Sequence, residues 1–271
     1  MPRGEARRAK TIVNALRGIS MNVMGIDLRP RTALALGLQR RRWERLFDAL
    51  AESDAEVIGV QELFWTGQRA LFEARMARAG YRVACGPTSL RRPGGLGIAV
   101  RGRILERHHH DFRARRNLRS RWVRYGVFGV RAEVGGRRLD LAVTHLEAGT
   151  SESGRAQQAG ELADWLESWS SDDAPALLFG DLNAPPESEV ASRLQPDWRD
   201  CCGEDFGPTW GCNPLAGPSA TPTRLDYVLV RSKTGPQPLA VRRVLDDPND
   251  PLSDHCGVEV TFQLAGGERP L

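Results

Sequence analysis

The stretch from Ala176 to Pro186, with the sequence ALLFGDLNAPP, constrains this chain more than any other. An apolar run of strand length ends at Gly180, and Asp181 and Asn183 follow two positions apart. Because side chains at i and i+2 lie on the same side of an extended chain, we expect these two to project together from the end of a buried strand. The alternative is a tight turn in which they only bond to the backbone.

The length and composition indicate a folded protein with a sizeable core. Of the 271 residues, 41% are hydrophobic and 27% are charged, which fits one large domain or two small ones. The longest apolar runs have only strand length, so we expect no transmembrane helix. The first ten residues are basic without a following apolar segment, which argues against a secretory signal. We expect a flexible basic arm over 1–16, a single domain over 17–265 and a C-terminal tail over 266–271.

The cysteine content predicts a protein with reduced thiols. The chain has five cysteines, an odd number, and their spacing matches no CxxC metal pattern. Reduced thiols are typical of the cytoplasm, so we expect a cytoplasmic location. We also expect a monomer.

Hydrophobic periodicity predicts many strands and few helices. An amphipathic stripe over 43–50 and two further stretches, 66–79 and 153–169, are predicted helices. The predicted strands are 19–26, 57–60, 81–84, a strand ending near 100, 104–112, 122–134, 137–144, 176–181, 224–230, 239–245 and 256–264. We expect connections over 29–38 and an irregular stretch over 195–223. Strands that are apolar on both faces indicate sheets packed on each other with helices outside.

Polar residues suited to metal binding or acid–base chemistry lie at the ends of these strands. They are Asn22, Glu62, His145, Asp181 with Asn183, Asp254 with His255, and Asp226 near the start of a sixth strand. Each alone could be a cap, a turn or, for Asn22, a core amide. Together they form an oxygen-rich set without thiols, which suits Mg²⁺ or Mn²⁺ rather than structural zinc. The tract His108-His109-His110 alternates between two faces of its strand, so we interpret it as structural.

The same residues carry a family resemblance. The ordered series Asn22, Gln61-Glu62, Thr144-His145, Gly180–Asn183, Leu225–Tyr227 and Ser253–His255 resembles the endonuclease/exonuclease/phosphatase superfamily over roughly 18–264. This superfamily includes pancreatic deoxyribonuclease, exonuclease III-like repair nucleases, inositol polyphosphate 5-phosphatases and neutral sphingomyelinases. The resemblance implies an α/β fold: a four-layer α-β-β-α sandwich with two mixed β-sheets face to face and a site at one rim.

The resemblance also implies a metal ligand set and a histidine–carboxylate pair. Glu62 would be the principal metal ligand, with Asn22 and Asp254 as further ligands or support. His255, oriented by Asp226, would be a general base or a group that polarises the phosphate.

Three further roles follow from the resemblance. Asp181 would position the attacking water, and Asn183 would hold a non-bridging oxygen. His145 would stabilise the phosphate or protonate the leaving group.

The resemblance favours some branches of the superfamily over others. Thr144-His145-Leu146 is similar to the deoxyribonuclease, phosphatase and sphingomyelinase branches, and differs from the tyrosine-containing motif of exonuclease III-like enzymes. The segment Leu252–Val258 is most similar to neutral sphingomyelinases. Those often have Lys-Gly before the histidine strand, whereas this chain has Tyr125-Gly126.

The basic residues are almost all arginines, and six of them cluster. The formal net charge is +4, with lysine only at Lys10 and Lys233. The cluster consists of Arg113, Arg115, Arg116, Arg119, Arg121 and Arg124. It is either a solvated loop or a rim that attracts phosphate, and the surrounding motifs favour the rim. We take Arg121, Arg124 and Arg224 as candidate phosphate-binding residues.

The sequence therefore predicts a Mg²⁺- or Mn²⁺-dependent phosphodiesterase, a nuclease or a sphingomyelinase-like phospholipase C, that uses direct water attack. Its substrate would be a nucleic acid, a phospholipid headgroup or a small phosphoester. The alternatives are a phosphomonoesterase of the inositol polyphosphate phosphatase kind and a non-catalytic binding protein on the same scaffold.

Overall fold

A computed structural model describes residues 15–25, 33–114 and 122–264. The helices are α1 (Ala33–Glu52), α2 (Thr66–Arg78), α3 (Glu152–Trp169) and α4 (Glu189–Leu194). The strands are β1 (Ala15–Asn22), β2 (Val57–Gln61), β3 (Arg82–Cys85), β4 (Gly97–Val100), β5 (Gly102–Asp111), β6 (Gly126–Val134), β7 (Arg137–His145), β8 (Ala176–Asp181), β9 (Trp198–Asp200), β10 (Asp226–Arg231), β11 (Gln237–Val244) and β12 (Gly257–Gln263). One-turn 3₁₀ helices lie at Glu204–Phe206 and Pro214–Ala216.

The strands form two six-stranded sheets, in the orders β11-β12-β1-β2-β4-β3 and β5-β6-β7-β8-β10-β9. Both sheets are mixed, because β1 and β2 run parallel, as do β7 and β8, while the other pairs are antiparallel. Buried side chains from both sheets, such as Phe179 and Phe262, share one core between them. A second core lies under α1 and α2, and a third under α3 and α4. The predicted α-β-β-α sandwich is confirmed.

Phe179 fills the space between the sheets only because glycines face it. A Cβ atom on Gly18 would lie 2.8 Å from the Phe179 ring, and one on Gly59 would lie 2.6 Å from the Cβ of Phe179. Both distances are shorter than real side chains tolerate, so β1 and β2 must leave these positions empty for the aromatic ring to pack.

Several predicted boundaries were wrong. β1 ends at Asn22 rather than 26, and β6 begins at Gly126 rather than 122. β1 begins at Ala15 rather than 19, because Ala15–Ser20 pairs with β12, so residues 15 and 16 belong to the sheet and not to the predicted arm. Helix α1 begins at Ala33, inside the predicted connection over 29–38. The stretch predicted to be irregular contains β9, which is too short for periodicity to reveal and is defined by its pairing with β10. The rest of the predicted arm (1–14) and the predicted tail lie outside the described residues.

The topology brings six strand ends to one edge of the sandwich. These are the C-terminal ends of β1, β2, β7 and β8 and the N-terminal ends of β10 and β12. The strand register places Asn22 beside Gln61, and Asp181 between His145 and Asp226. No helix in the described part of the chain is long and apolar enough to cross a membrane.

Candidate active site

Asp181 links the two sheets at this edge. Its Oδ2 accepts a hydrogen bond from the Asn22 side chain at 2.9 Å, across the gap between β8 and β1. Its Oδ1 accepts from the main-chain N–H of Asn183 at 2.9 Å. Both sequence interpretations therefore apply: one oxygen closes a tight turn, and the other faces the site.

Two histidines face the same oxygen of Asp181. The Nε2 atoms of His145 and His255 lie 3.5 Å and 3.8 Å from Asp181 Oδ2. The other ring nitrogen of His255, Nδ1, lies 2.8 Å from Asp226 Oδ2. All four side chains are buried. Because the bond to Asp226 fixes the imidazole, Nε2 of His255 is directed at the centre of the group.

The predicted pairing of His255 with Asp226 is thus present in the structure. Thr209 holds the main chain that carries Asp226. Its Oγ1 accepts hydrogen bonds from the main-chain N–H groups of Leu225 and Asp226 at 2.9 Å and 3.0 Å. These bonds hold the main chain of Asp226 in place at the start of β10.

Glu62 follows β2 with a strained backbone. Its φ is +64°, in the left-handed region that non-glycine residues seldom adopt. Its Oε2 accepts the N–H of Gly25 at 3.0 Å. Met24 (φ +49°) and Asn183 (φ +47°) are left-handed too, so three of the four such non-glycine residues in the described chain lie around this site. Strain of this kind is found where function requires a particular geometry.

Asp254 lies at the rim rather than in the centre. It is only half-buried, and its Oδ2 accepts the indole N–H of Trp210 at 3.4 Å. Trp210 in turn forms single β-bridges with Thr223 and His255. The irregular loop that contains Trp210 thereby becomes one wall of the site.

The acidic groups of the site have raised pKa values. Burial, reinforced by the charge of Asp226, raises the pKa of Asp181 to about 7. Burial also raises the pKa of Glu62, where the charges of Asp254 and Asp181 add to the effect and those of the histidines oppose it. Crowded carboxylates of this kind favour either a proton or a cation.

The two histidines are shifted in opposite directions. Burial lowers the pKa of His145, which favours the neutral ring. Burial has the same effect on His255, but the charge and hydrogen bond of Asp226 outweigh it and raise the pKa of His255 well above 6.5. One imidazole is therefore suited to be neutral and the other to be protonated in the same pocket.

The residues present fit a divalent cation. Asp181, Asp226 and His255 each offer a ligand atom within 4.8 Å of the others. Asp226 Oδ1 is buried without a hydrogen-bond partner among the described residues. Glu62, with its raised pKa, adds a further carboxylate. Oxygen-rich donor sets of this kind suit hard cations such as Mg²⁺ and Mn²⁺.

The amide side chains of the site are used for support. The Asn22 side chain donates to Asp181 and accepts the N–H of Met24 at 2.9 Å. The Asn183 side chain donates to the carbonyl of Leu146 at 2.9 Å. Both amides therefore fix the segments that carry the acidic and basic groups.

Two of the three candidate phosphate-binding arginines, Arg224 and Arg124, do not join this group. Arg224 lies on the helix-covered face of its sheet, 4.7 Å above the Tyr227 ring and 2.5 Å from Asp200. Arg124 pairs with Asp111 at 2.5 Å. Its neighbour Tyr125 packs edge-on against His145 at 5.4 Å, so Arg124 belongs to the rim. Arg121 lies outside the described residues.

Sequence reasoning missed Trp210 and Arg42. Trp210 had no detectable signal, because it lies in an irregular loop. Arg42 had one: it precedes Leu46 by four residues and Leu50 by eight, and so lies on the buried stripe of α1. A charged residue on an apolar stripe requires a polar partner inside the protein.

Comparison with known proteins gives a consistent result. The profile of a family described as "Endonuclease/Exonuclease/phosphatase family" matches residues 19–255. Comparison with curated protein sequences finds no match.

Several solved structures share the fold. Beta toxin from Staphylococcus aureus with bound magnesium ions is 18% identical with a TM-score of 0.76, covering 92% of this chain and 99% of that one. D. rerio TDP2 complexed with single strand DNA product is 22% identical with a TM-score of 0.74 and the same coverage. Sphingomyelinase C from Streptomyces griseocarneus is 18% identical with a TM-score of 0.70, covering 92% of this chain and 99% of that one. At these identities the likeness shows the fold alone.

Proposed function

Because this chain belongs to the endonuclease/exonuclease/phosphatase family, we propose that it hydrolyses phosphoric esters as a divalent-metal-dependent phosphodiesterase. The observation that carries the proposal is the convergence of His145 and His255 on Asp181, with Asp226 behind His255. This array offers a base, an acid and hydrogen-bond donors within one buried pocket.

Glu62 would hold the cation, Mg²⁺ or Mn²⁺, with Asp254 and the Asn22 segment as support. When bound, such an ion supplies positive charge that neutralises the phosphate and lowers the pKa of water. The magnesium ions in the beta toxin structure support this choice of metal.

The protein groups would divide the proton transfers between them. The base in this proposal is Asp181 rather than His255, the residue that the resemblance implies: with a pKa of about 7, Asp181 accepts a proton from the attacking water as the water oxygen bonds to phosphorus. His255, whose pKa is raised, gives its proton to the leaving oxygen as the ester bond breaks. His145, kept neutral by burial, donates a hydrogen bond to a phosphate oxygen.

Turnover of bis-p-nitrophenyl phosphate with Mg²⁺ or Mn²⁺ tests this proposal. We expect His255→Ala to lower kcat by about 10²–10⁴-fold, the usual contribution of a general acid or base. Glu62→Ala should lower kcat by a similar factor, because it removes the proposed metal ligand. His109→Ala is the matched control, because His109 is exposed on β5 and should leave kcat unchanged. Absence of metal binding and of turnover on diester, monoester and lipid panels would refute the proposal.

A parallel panel of plasmid DNA, RNA, sphingomyelin and inositol phosphates would identify the substrate. The TDP2 structure with DNA supports a nucleic acid, and the sphingomyelinase structure supports a phospholipid headgroup. Preference for a monoester would instead indicate a phosphatase of the inositol polyphosphate kind. The presence of every candidate site residue supports an enzyme over a non-catalytic binding protein. The cytoplasmic location and the monomeric state remain predictions.

A further inference from the structure

Arg42 is a buried arginine that joins two distant segments of the candidate site. It lies on α1 and is only 8% exposed, whereas Arg41 and Arg45 on the same helix are exposed. Its guanidinium donates to three main-chain carbonyls: Val23 at 3.2 Å, Met24 at 2.6 Å and Leu252 at 2.6 Å.

Two of these carbonyls belong to the turn that holds Glu62. Met24 has a φ of +49°, a conformation that persists only where its surroundings impose it. The next residue, Gly25, donates its N–H to Glu62 Oε2 at 3.0 Å. The contacts of Arg42 to Val23 and Met24 therefore fix the amide that orients the Glu62 carboxylate.

The third carbonyl belongs to the segment that carries Asp254 and His255. Leu252 directly precedes Ser253, whose Oγ donates to the carbonyl of Asn22 at 2.7 Å. The two segments thus meet, and Arg42 spans them. The N–H groups of a planar guanidinium point in several directions and can bond to several carbonyls at once. The ammonium group of lysine has a single nitrogen and cannot reach the same set of carbonyls.

We propose that Arg42 is a positioning residue of the candidate active site. Arg42 holds the turn after β1 at a fixed distance from the segment that carries Asp254 and His255. Because this turn orients Glu62, Arg42 also fixes the position of Glu62 relative to that segment. The effect on turnover rests on the proposed function, whereas the effect on the order of the two segments does not.

Arg101 provides a matched control. It too donates to main-chain carbonyls, those of Ala51, Ser53, Ala55 and Ala79, at 3.0–3.4 Å. These carbonyls lie beside the end of β2 that is remote from Glu62. Loss of Arg101 therefore removes a similar set of contacts without touching the site.

Amide hydrogen exchange of the full chain, measured by NMR without metal, tests the structural part. In Arg42→Met we expect the amides of Gly25 and His255 to exchange at least about tenfold faster than in wild type, because their segments open locally. Arg101→Met should change them by less than about twofold. Wild-type exchange rates at both amides in Arg42→Met would overturn the proposal. If Arg42→Met does not fold, Arg42→Lys is measured in its place, with the same expected result.

Turnover tests the functional part. In Arg42→Lys we expect kcat to fall about 10–100-fold with KM within about threefold of wild type, because misplacement by about 1 Å is enough for such a loss. Arg101→Met should keep the wild-type kcat. An unchanged kcat in Arg42→Lys would overturn the inference. A wild-type protein inactive on every phosphoric ester would refute the proposed function instead, and amide exchange would then decide on Arg42 alone.

Discussion

The buried carboxylate of Asp226 influences the protonation of its neighbour His255. Its bond to His255 Nδ1 outweighs the burial of that imidazole and favours the protonated ring. The pKa of His255 is raised above its ordinary value of 6.5. The stabilisation from this pair is therefore fully present below pH 6.5 and is lost as the pH rises through the raised pKa.

This linkage predicts a pH-dependent cost for Asp226→Asn. We expect the variant to lower the free energy of unfolding by about 3 kcal/mol at pH 6, as for other broken buried pairs. The difference from wild type should shrink as the pH rises through the raised pKa of His255, because above that pKa the imidazole is neutral in both folded and unfolded states. Urea denaturation in the presence of a chelator measures it. Asp173→Asn, at an exposed carboxyl group, should match wild type throughout. A difference that stays constant or grows with pH would contradict the assigned protonation.

At the scale of elements, the hydrophobic periodicity of the sequence was enough to place strands and helices but not to define where they begin and end. The stripe over 43–50 predicted α1, yet its start at Ala33 left no such signal. The three-residue β9 exists because β10 offers it a partner, a contact that is remote in sequence. The pairing of His255 with Asp226 came from family resemblance. The role of Trp210 came only from three-dimensional contacts. The position of Arg42 on the buried stripe of α1 was a signal in the sequence, but its partners, which lie far along the chain, came only from the structure.

The packing of Phe179 against β1 and β2 gives a testable prediction for these strands. Gly59→Ala places a methyl group 2.6 Å from Phe179 Cβ. We expect it to lower the free energy of unfolding by about 1–3 kcal/mol, the usual cost of overpacking. The control is Gly160→Ala on α3, where an added Cβ meets no atom within 4 Å. That change should stabilise by about 0.5–1 kcal/mol, because alanine favours helix. Thermal or urea unfolding measures both, and a neutral Gly59→Ala would mean that the sheets can separate locally.

At the scale of the whole molecule, the site belongs to both sheets. Glu62 and His255 come from the first sheet, and His145, Asp181 and Asp226 come from the second. The bond between Asn22 and Asp181 bridges them. A cation held at this edge would thus be bound by the folded arrangement of both sheets and by neither sheet alone.

Metal should therefore stabilise the whole fold. With Mg²⁺ or Mn²⁺ at 100 times its Kd, we expect the free energy of unfolding to rise by about 2.7 kcal/mol, by mass action. Glu62→Gln should abolish most of this gain, whereas Glu167→Gln, at an exposed position of α3, should retain it. Thermal unfolding with and without chelator measures the shift. If metal still raises the free energy of unfolding of Glu62→Gln, the cation is bound instead by Asp181, Asp226 and His255.

The order of strands in the first sheet has a consequence for the timing of synthesis. This sheet takes β1 to β4 from residues 15–100 and β11 and β12 from residues 237–263, with the entire second sheet encoded between them. Because β12 lies between β11 and β1, β1 lacks this neighbour during synthesis until β12 has left the ribosome. His255, just before that strand, arrives at the same moment. A chain that stops before His255 and β12 would accordingly carry Glu62 and Asp181 without His255, and would lack one of the groups on which the proposed hydrolysis depends.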